Sequence, residues 1–133
     1  AMSPQSERLE RLITRELGEC CTADVTQRLT YLEDLFEKVP DGIDRDVGLL
    51  KVLGNDTRYT IVRLLHSADD ELCVCEITPV IDVSDSAVSH ALSDLYEAGV
   101  VIRRKEGTWR YYRLAPGIGR ILEAVDGHLG PDR

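Results

Sequence analysis

Fifteen residues set the tightest limit on this fold: VVIRRKEGTWRYYRL, residues 100–114. Elsewhere apolar residues recur at helical spacing. Here β-branched and aromatic residues crowd around Glu106-Gly107, a tight-turn signal, and the stretch reads as a β-hairpin. Tyr112 and Leu114 share one side of its second strand and Trp109 and Tyr111 the other, so at least one set belongs to the core. The remainder reads as helices, which makes the fold class mainly α with a single β-hairpin.

The helices can be placed by their apolar stripes. Val88, Leu92 and Leu95 mark the buried face of a helix from about Asp85 to Ala98, and Gly99 sits where a left-handed C-terminal residue is wanted. A short helical segment around 73–82 and the turn Asp82-Val83-Ser84 precede it. Further upstream, Asn55, Asp56 or Thr57 caps a helix that carries Ile61, Leu64 and Leu65 and runs to His66. Another helix covers Val47–Leu53, and a closing amphipathic helix uses Ile118, Ile121, Leu122, Val125 and Leu129, a candidate dimerisation surface.

Residues 1–44 form a helical extension to the domain of residues 45–133. Ser3-Pro4 reads as an N-cap followed by proline at the first helical position, and Leu9, Leu12, Ile13 and Leu17 continue that helix to Gly18. Cys20 and Cys21 fall in the connection. From Asp24 a second helix aligns Val25, Leu29, Leu32, Phe36 and Val39 and ends at Pro40-Asp41-Gly42. Together these helices carry more apolar surface than they can bury on each other. A partner subunit and packing within the monomer are equally open.

The 133 residues are 43% hydrophobic, enough for a core. No apolar run approaches the ~20 residues of a membrane span, and the start, AMSPQ, has no signal-peptide pattern. A cytoplasmic protein without membrane partners is expected. In that reducing compartment, paired cysteines are more often metal ligands or redox sensors than structural disulfides.

A net charge of −8 argues at first against nucleic acid, but the charge is uneven. Residues 84–114 hold five basic groups (Arg103, Arg104, Lys105, Arg110, Arg113) against four acidic ones (Asp85, Asp94, Glu97, Glu106), a net of +1, so the remainder carries −9. Three lysines against thirteen arginines, with abundant aspartate, suit a salt-rich cytoplasm. Two short helices, a tight turn and a basic hairpin follow the order of a winged helix-turn-helix. Its second helix enters the major groove and reads bases from its N-terminal end. The residues there are Ser84, Ser86, Ser89 and His90, and the wing supplies Arg103, Arg104, Lys105 and Arg110 for phosphates or the minor groove.

The stretches LLKVLGNDTRYTIVRLL, ELCVCEI, VSDSAVSHALSDLYEAGVV and RRKEGTWRYYRL together resemble the arsenic- and metal-responsive repressors of the ArsR–SmtB family, over roughly residues 47–128. The resemblance implies a homodimeric winged-helix repressor that leaves double-stranded operator DNA when a thiophilic ion binds. Asp85 departs from the pattern, because an acid at the start of the reading helix faces phosphates unfavourably. Capping the helix and pointing away from DNA would relieve it.

ELCVCEI places Cys73 and Cys75 two apart, which on an ideal helix sets them about 200° from each other. Packing alone would account for them as small hydrophobes. Pro79 removes a helical hydrogen bond and clashes with the Cys75 carbonyl, so the helix is expected to distort or start late. Thr78 stands near where arsenic-responsive members carry a further cysteine. Other relatives combine N-terminal cysteines with the C-x-C segment, which would bring Cys20 and Cys21 of one subunit onto the Cys73 region of the other. Three thiolates suit As(III) or Sb(III), and four suit Cd, Pb or Zn. The first choices are Cys20, Cys21 and Cys73, with Cys75 as substitute or fourth ligand. On this reading, drawing Cys73 toward the partner shifts the support of the reading helix.

A thiol redox-sensing repressor is the main rival, although Asp69, Asp70, Glu71 and Glu76 oppose a lowered Cys73 pKa. His66 sits at a helix end, and Asp126-x-His128 has too few ligands for a zinc site. No cofactor loop, nucleophile motif or acid–base constellation points to an enzyme.

Overall fold

The computed structural model describes residues 4–17, 22–68 and 70–130, which fall into two compact units, 1–43 and 44–133. In the first, α1 (Pro4–Leu17) packs on α2 (Thr22–Glu37). Pro4 occupies the first turn, where its missing N–H and fixed φ cost nothing. Ser3, the expected cap, lies outside the described residues, as do Cys20 and Cys21. Val25 is buried, whereas Leu32, Leu35 and Phe36 are exposed. The stripe stops short of the expected Val39: α2 ends at Glu37, and the N–H groups of Lys38 and Val39 turn back onto the carbonyls of Leu35 and Phe36.

The second unit opens with α3 (Ile43–Leu53), a turn earlier than the apolar pattern suggests, its first turn acidic with Asp44 and Asp46. Asn55 caps α4 (Asp56–Ser67) by accepting the Arg58 N–H at 3.0 Å, and Arg58 Nε returns to the Val52 carbonyl at 2.7 Å, fixing the α3–α4 corner.

The next segment corrects the helix expected at 73–82. It is a short strand, β1 (Leu72–Cys73), then a single helical turn, α5 (Val74–Ile77), then a 3-10 turn at Thr78–Val80. The cause is twofold. The backbone of Leu72 and Cys73 finds partners in another strand, and Pro79 cannot continue an α-helical ladder.

Ser84 caps α6 (Asp85–Glu97), whose Val88, Leu92 and Leu95 are buried. Its C-terminus closes by a Schellman motif. Gly99 takes φ 74 and donates to the Tyr96 carbonyl, and Val100 donates to that of Leu95 at 2.9 Å. The hairpin follows as β2 (Val101–Glu106) and β3 (Trp109–Leu114), with Glu106 opposite Trp109. The two-residue loop is therefore Gly107-Thr108, one residue past the Glu106-Gly107 signal, and Gly107 supplies the positive φ (62°) that such hairpins need at that position.

Strand order is β1-β3-β2, antiparallel throughout, so the hairpin gains a third strand from the C-x-C segment. The core gathers Ile61, Leu65, Ile77, Leu92, Leu95 and Tyr112 under the closing helix α7 (Ile118–Leu129), which adds Ile118 and Leu122. Tyr112 and Leu114 belong to the core side of the wing, whereas Trp109 is 54% exposed. Among the described residues no helix is long and apolar enough to cross a membrane.

Candidate thiol site and nucleic-acid interface

Cys73 ends β1 and caps α5. Its backbone is extended (φ −75°, ψ 150°), its N–H donates to the Glu76 carboxylate at 2.8 Å, and its Sγ accepts the Cys75 N–H at 3.4 Å. A sulfur thus does the work usually given to a hydroxyl. Because Cys73 stands outside the helix, the ideal i, i+2 angle does not apply, and the Cys73 side chain interacts with that of Cys75. That contact first, then partial desolvation and the charges of Cys73 and Glu76, hold the Cys75 thiol above its ordinary pKa. Cys73 is only 3% exposed; Cys75 is open to solvent.

Both thiols wall a cavity of about 550 Å³. Its lining also includes Asp85, Ser89 and Ser93, successive residues of one stripe of α6, and Arg110 from the wing. Thr78 lines the same wall as the thiols. The thiols and residues of α6, the helix expected to read DNA, therefore line one cavity. Among the described residues no group of three or more His, Cys, Asp or Glu side chains could hold a metal ion, so the thiol pair is an incomplete donor set there.

The four expected base-reading residues divide by position. Ser84 Oγ accepts the Ala87 N–H at 3.1 Å, so its lone pairs serve the helix start. Asp85 is the next residue, a first-turn carboxylate favoured by the helix dipole. The capping role expected of it belongs to Ser84, and Asp85 instead borders the thiol cavity with Ser89. Ser86 and His90, four apart, are exposed on the face opposite Val88 and Leu92.

The wing cations divide likewise. Arg103 lies over the Tyr96 ring, 4.1 Å from its centroid. Arg104 is ion-paired to Glu71 and to Glu106 (2.9 Å) and stacks on Tyr111 at 4.5 Å. Lys105 and Arg110 are exposed cross-strand neighbours near the hairpin tip. Glu71 and Tyr111 were not among the sequence candidates. The only available signal was the extended, alternating character of ELCV, too short to separate from a helix start. Of the remaining groups, His66 ends α4 and Asp126 pairs with Arg63 at 3.2 Å, tying α7 to α4.

Comparison with known proteins agrees with this architecture. The family model for bacterial regulatory proteins of the arsR family matches residues 55–103. A Halobacterium salinarum protein named "Putative arsenical resistance operon repressor ArsR" is 50% identical over 92% of this chain and 95% of its own length. The cadmium resistance transcriptional regulatory protein CadC of Listeria innocua is 44% identical over 49% of this chain and 54% of its own. The homodimeric winged helix-turn-helix DNA-binding domain of Mb0332 from Mycobacterium bovis superposes with a TM-score of 0.57 at 30% identity, covering 65% of this chain and 83% of that one. With half its residues shared along nearly the full length of one such relative, this chain belongs to the arsR family of bacterial regulatory proteins.

Proposed function

We propose that the chain is a dimeric transcriptional repressor that binds double-stranded operator DNA and is released by As(III) or Sb(III) held on cysteine thiolates. The observation that carries this reading is the shared cavity, which Cys73 and Cys75 line together with Asp85, Ser89 and Ser93 of α6. A soft trivalent ion favours three sulfurs. Cys73 supplies one, and Cys20 and Cys21 of the N-terminal extension, residues 1–44, are the first choices for the other two, with Cys75 as substitute or fourth ligand. In this scheme residues 45–133 bind DNA in the cytoplasm. Ser86, Ser89 and His90 face base edges, Ser84 orients the helix, and Arg103, Arg104, Lys105 and Arg110 serve phosphates. The ion acts only to the extent that it binds the DNA-free form better than the bound form.

A second reading, a Cd, Pb or Zn sensor of the same fold, is favoured by the likeness to the cadmium regulator and by the total of four cysteines. Titrating reduced protein with arsenite, Cd²⁺, Pb²⁺ and Zn²⁺ separates the two, read by thiolate–metal absorption and by DNA release. The arsenic reading expects saturation at one arsenite per monomer, lost in Cys73→Ser and in the Cys20→Ser/Cys21→Ser double variant. Tight Cd²⁺ binding that needs all four thiols, with no response to arsenite, would replace it with the second.

A further inference from the structure

One guanidinium ties the wing to the thiol segment. Arg104 Nε donates to both oxygens of the Glu71 carboxylate, at 3.0 and 3.2 Å, and Nη2 donates to the same group. Nη1 donates to Glu106 at 2.9 Å, so every nitrogen of the fork is engaged. Tyr111, under the guanidinium, is the middle of a sheet rung: it pairs with Cys73 on β1 and with Arg104 on β2. Glu71 stands two residues before Cys73. A wing cation and an ion-binding thiol thus share one rung and one carboxylate clasp.

The clasp is fit for exchange. The Arg104 side chain is 48% exposed, and partly exposed ion pairs contribute little net stability. A phosphate offers the same bidentate acceptor as a carboxylate. The guanidinium cannot fully serve both.

We propose that Arg104 is a contested cation, for which Glu71 and operator phosphate compete, so that the wild-type wing delivers it to DNA only in part. The segment carrying Cys73 and Cys75 then sets how many wing cations reach DNA. The regulatory half rests on the function proposed above. An ion bound to Cys73, alone or with Cys75, fixes the turn of residues 71–77 in the arrangement that presents Glu71 to Arg104. It therefore favours the form whose wing is one cation short, which is the differential affinity that release requires.

The test uses full-length reduced protein and a fluorescent duplex recovered by in-vitro selection on the wild type, with anisotropy measured across a salt series. Without any ion, Glu71→Gln is expected to bind more tightly than wild type, with a slope of log K against log salt steeper by about 0.9 for each Arg104 gained. Adding Arg104→Gln to Glu71→Gln is expected to abolish both changes. An unchanged slope in Glu71→Gln, or a gain that survives loss of Arg104, would overturn the proposal and reduce the effect to overall charge. Thermal melts confirm that each variant is folded. With arsenite, Glu71→Gln is expected to bind the same number of ions yet release less DNA than wild type. Equal release would overturn the regulatory half. Failure of arsenite to release the wild type would instead defeat the proposed inducer, leaving the ion-free arms to judge Arg104.

Discussion

Cys73 and Cys75 differ in what each can lose. Cys73 is buried, accepts a backbone N–H and pairs with Tyr111 through its backbone, whereas Cys75 makes its contacts from an exposed position. Cys73→Ser is therefore expected to lower stability by about 1 kcal/mol, from placing a poorly matched hydroxyl in the core, and Cys75→Ser to leave it within about 0.5 kcal/mol of wild type. Chemical denaturation of the two variants checks this. Protons distinguish the candidate ions. The Cys75 thiol is held above its ordinary pKa, chiefly by the Cys73 sulfur, so at neutral pH it binds an ion only by giving up a proton. A divalent cation leaves that proton in solution. Arsenous acid instead sheds its hydroxyl groups as water, taking up one proton for each thiol bound. Cd²⁺ affinity is expected to rise about tenfold per pH unit for each proton released, between about pH 6 and pH 8, while arsenite affinity stays nearly level. Calorimetric titration at several pH values reads both. A level Cd²⁺ profile would mean thiols already ionised, against the direction of the Cys75 shift.

At the scale of the element, α6 on the proposed function separates structure from readout within three residues. Ser84 accepts the Ala87 N–H, and Ser86 faces outward without such a duty. Ser84→Ala is expected to cost about 1 kcal/mol of stability, lowering Tm by roughly 4–8 °C for a unit of this size, and to weaken DNA binding only through fraying. Ser86→Ala is expected to leave Tm unchanged and to weaken binding to the selected duplex more than to a random one. Differential scanning calorimetry paired with anisotropy distinguishes the two serines, and equal thermal effects would remove the distinction. This helix was legible from its sequence because its signals are local: a serine cap, a three-and-four apolar stripe, and Gly99. The hairpin was legible for the same reason. β1 was not, because two residues carry no periodicity and their partners, Tyr111 and Tyr112, lie about forty positions away. The Arg104–Glu71 clasp spans 33 positions and was hidden with it. The cysteines were picked out by their rarity, but their meeting depends on Cys73 standing outside a helix, which only the pairing of β1 establishes.

At the scale of the whole molecule the question is how so acidic a protein holds a polyanion. The net charge of −8 divides into +1 for residues 84–114 and −9 elsewhere, so attraction is confined to the reading helix and wing while the rest of the surface repels. That arrangement orients the protein on DNA more than it adds affinity. With Arg104 clasped, the wing cations left to each protomer are Arg103, stacked on Tyr96, and the exposed pair Lys105 and Arg110. Like charges directly opposite on a hairpin are unfavourable by themselves, and a phosphate between Lys105 and Arg110 removes that cost. A two-fold dimer then commits about six phosphate contacts with Arg104 clasped and about eight with it delivered, a slope of log K against log salt between about −5.4 and about −7.2. On the proposed function, most of the discrimination falls to base edges faced by Ser86, Ser89 and His90 and to duplex shape. Replacing Lys105 and Arg110 together by glutamine is expected to flatten the slope by about 3.6 for the dimer, at 0.9 for each of four contacts, while the preference for the selected duplex over a random one stays close to wild type. If that preference instead collapses with the slope intact, the wing reads bases in the minor groove and the division of labour between helix and wing is reversed.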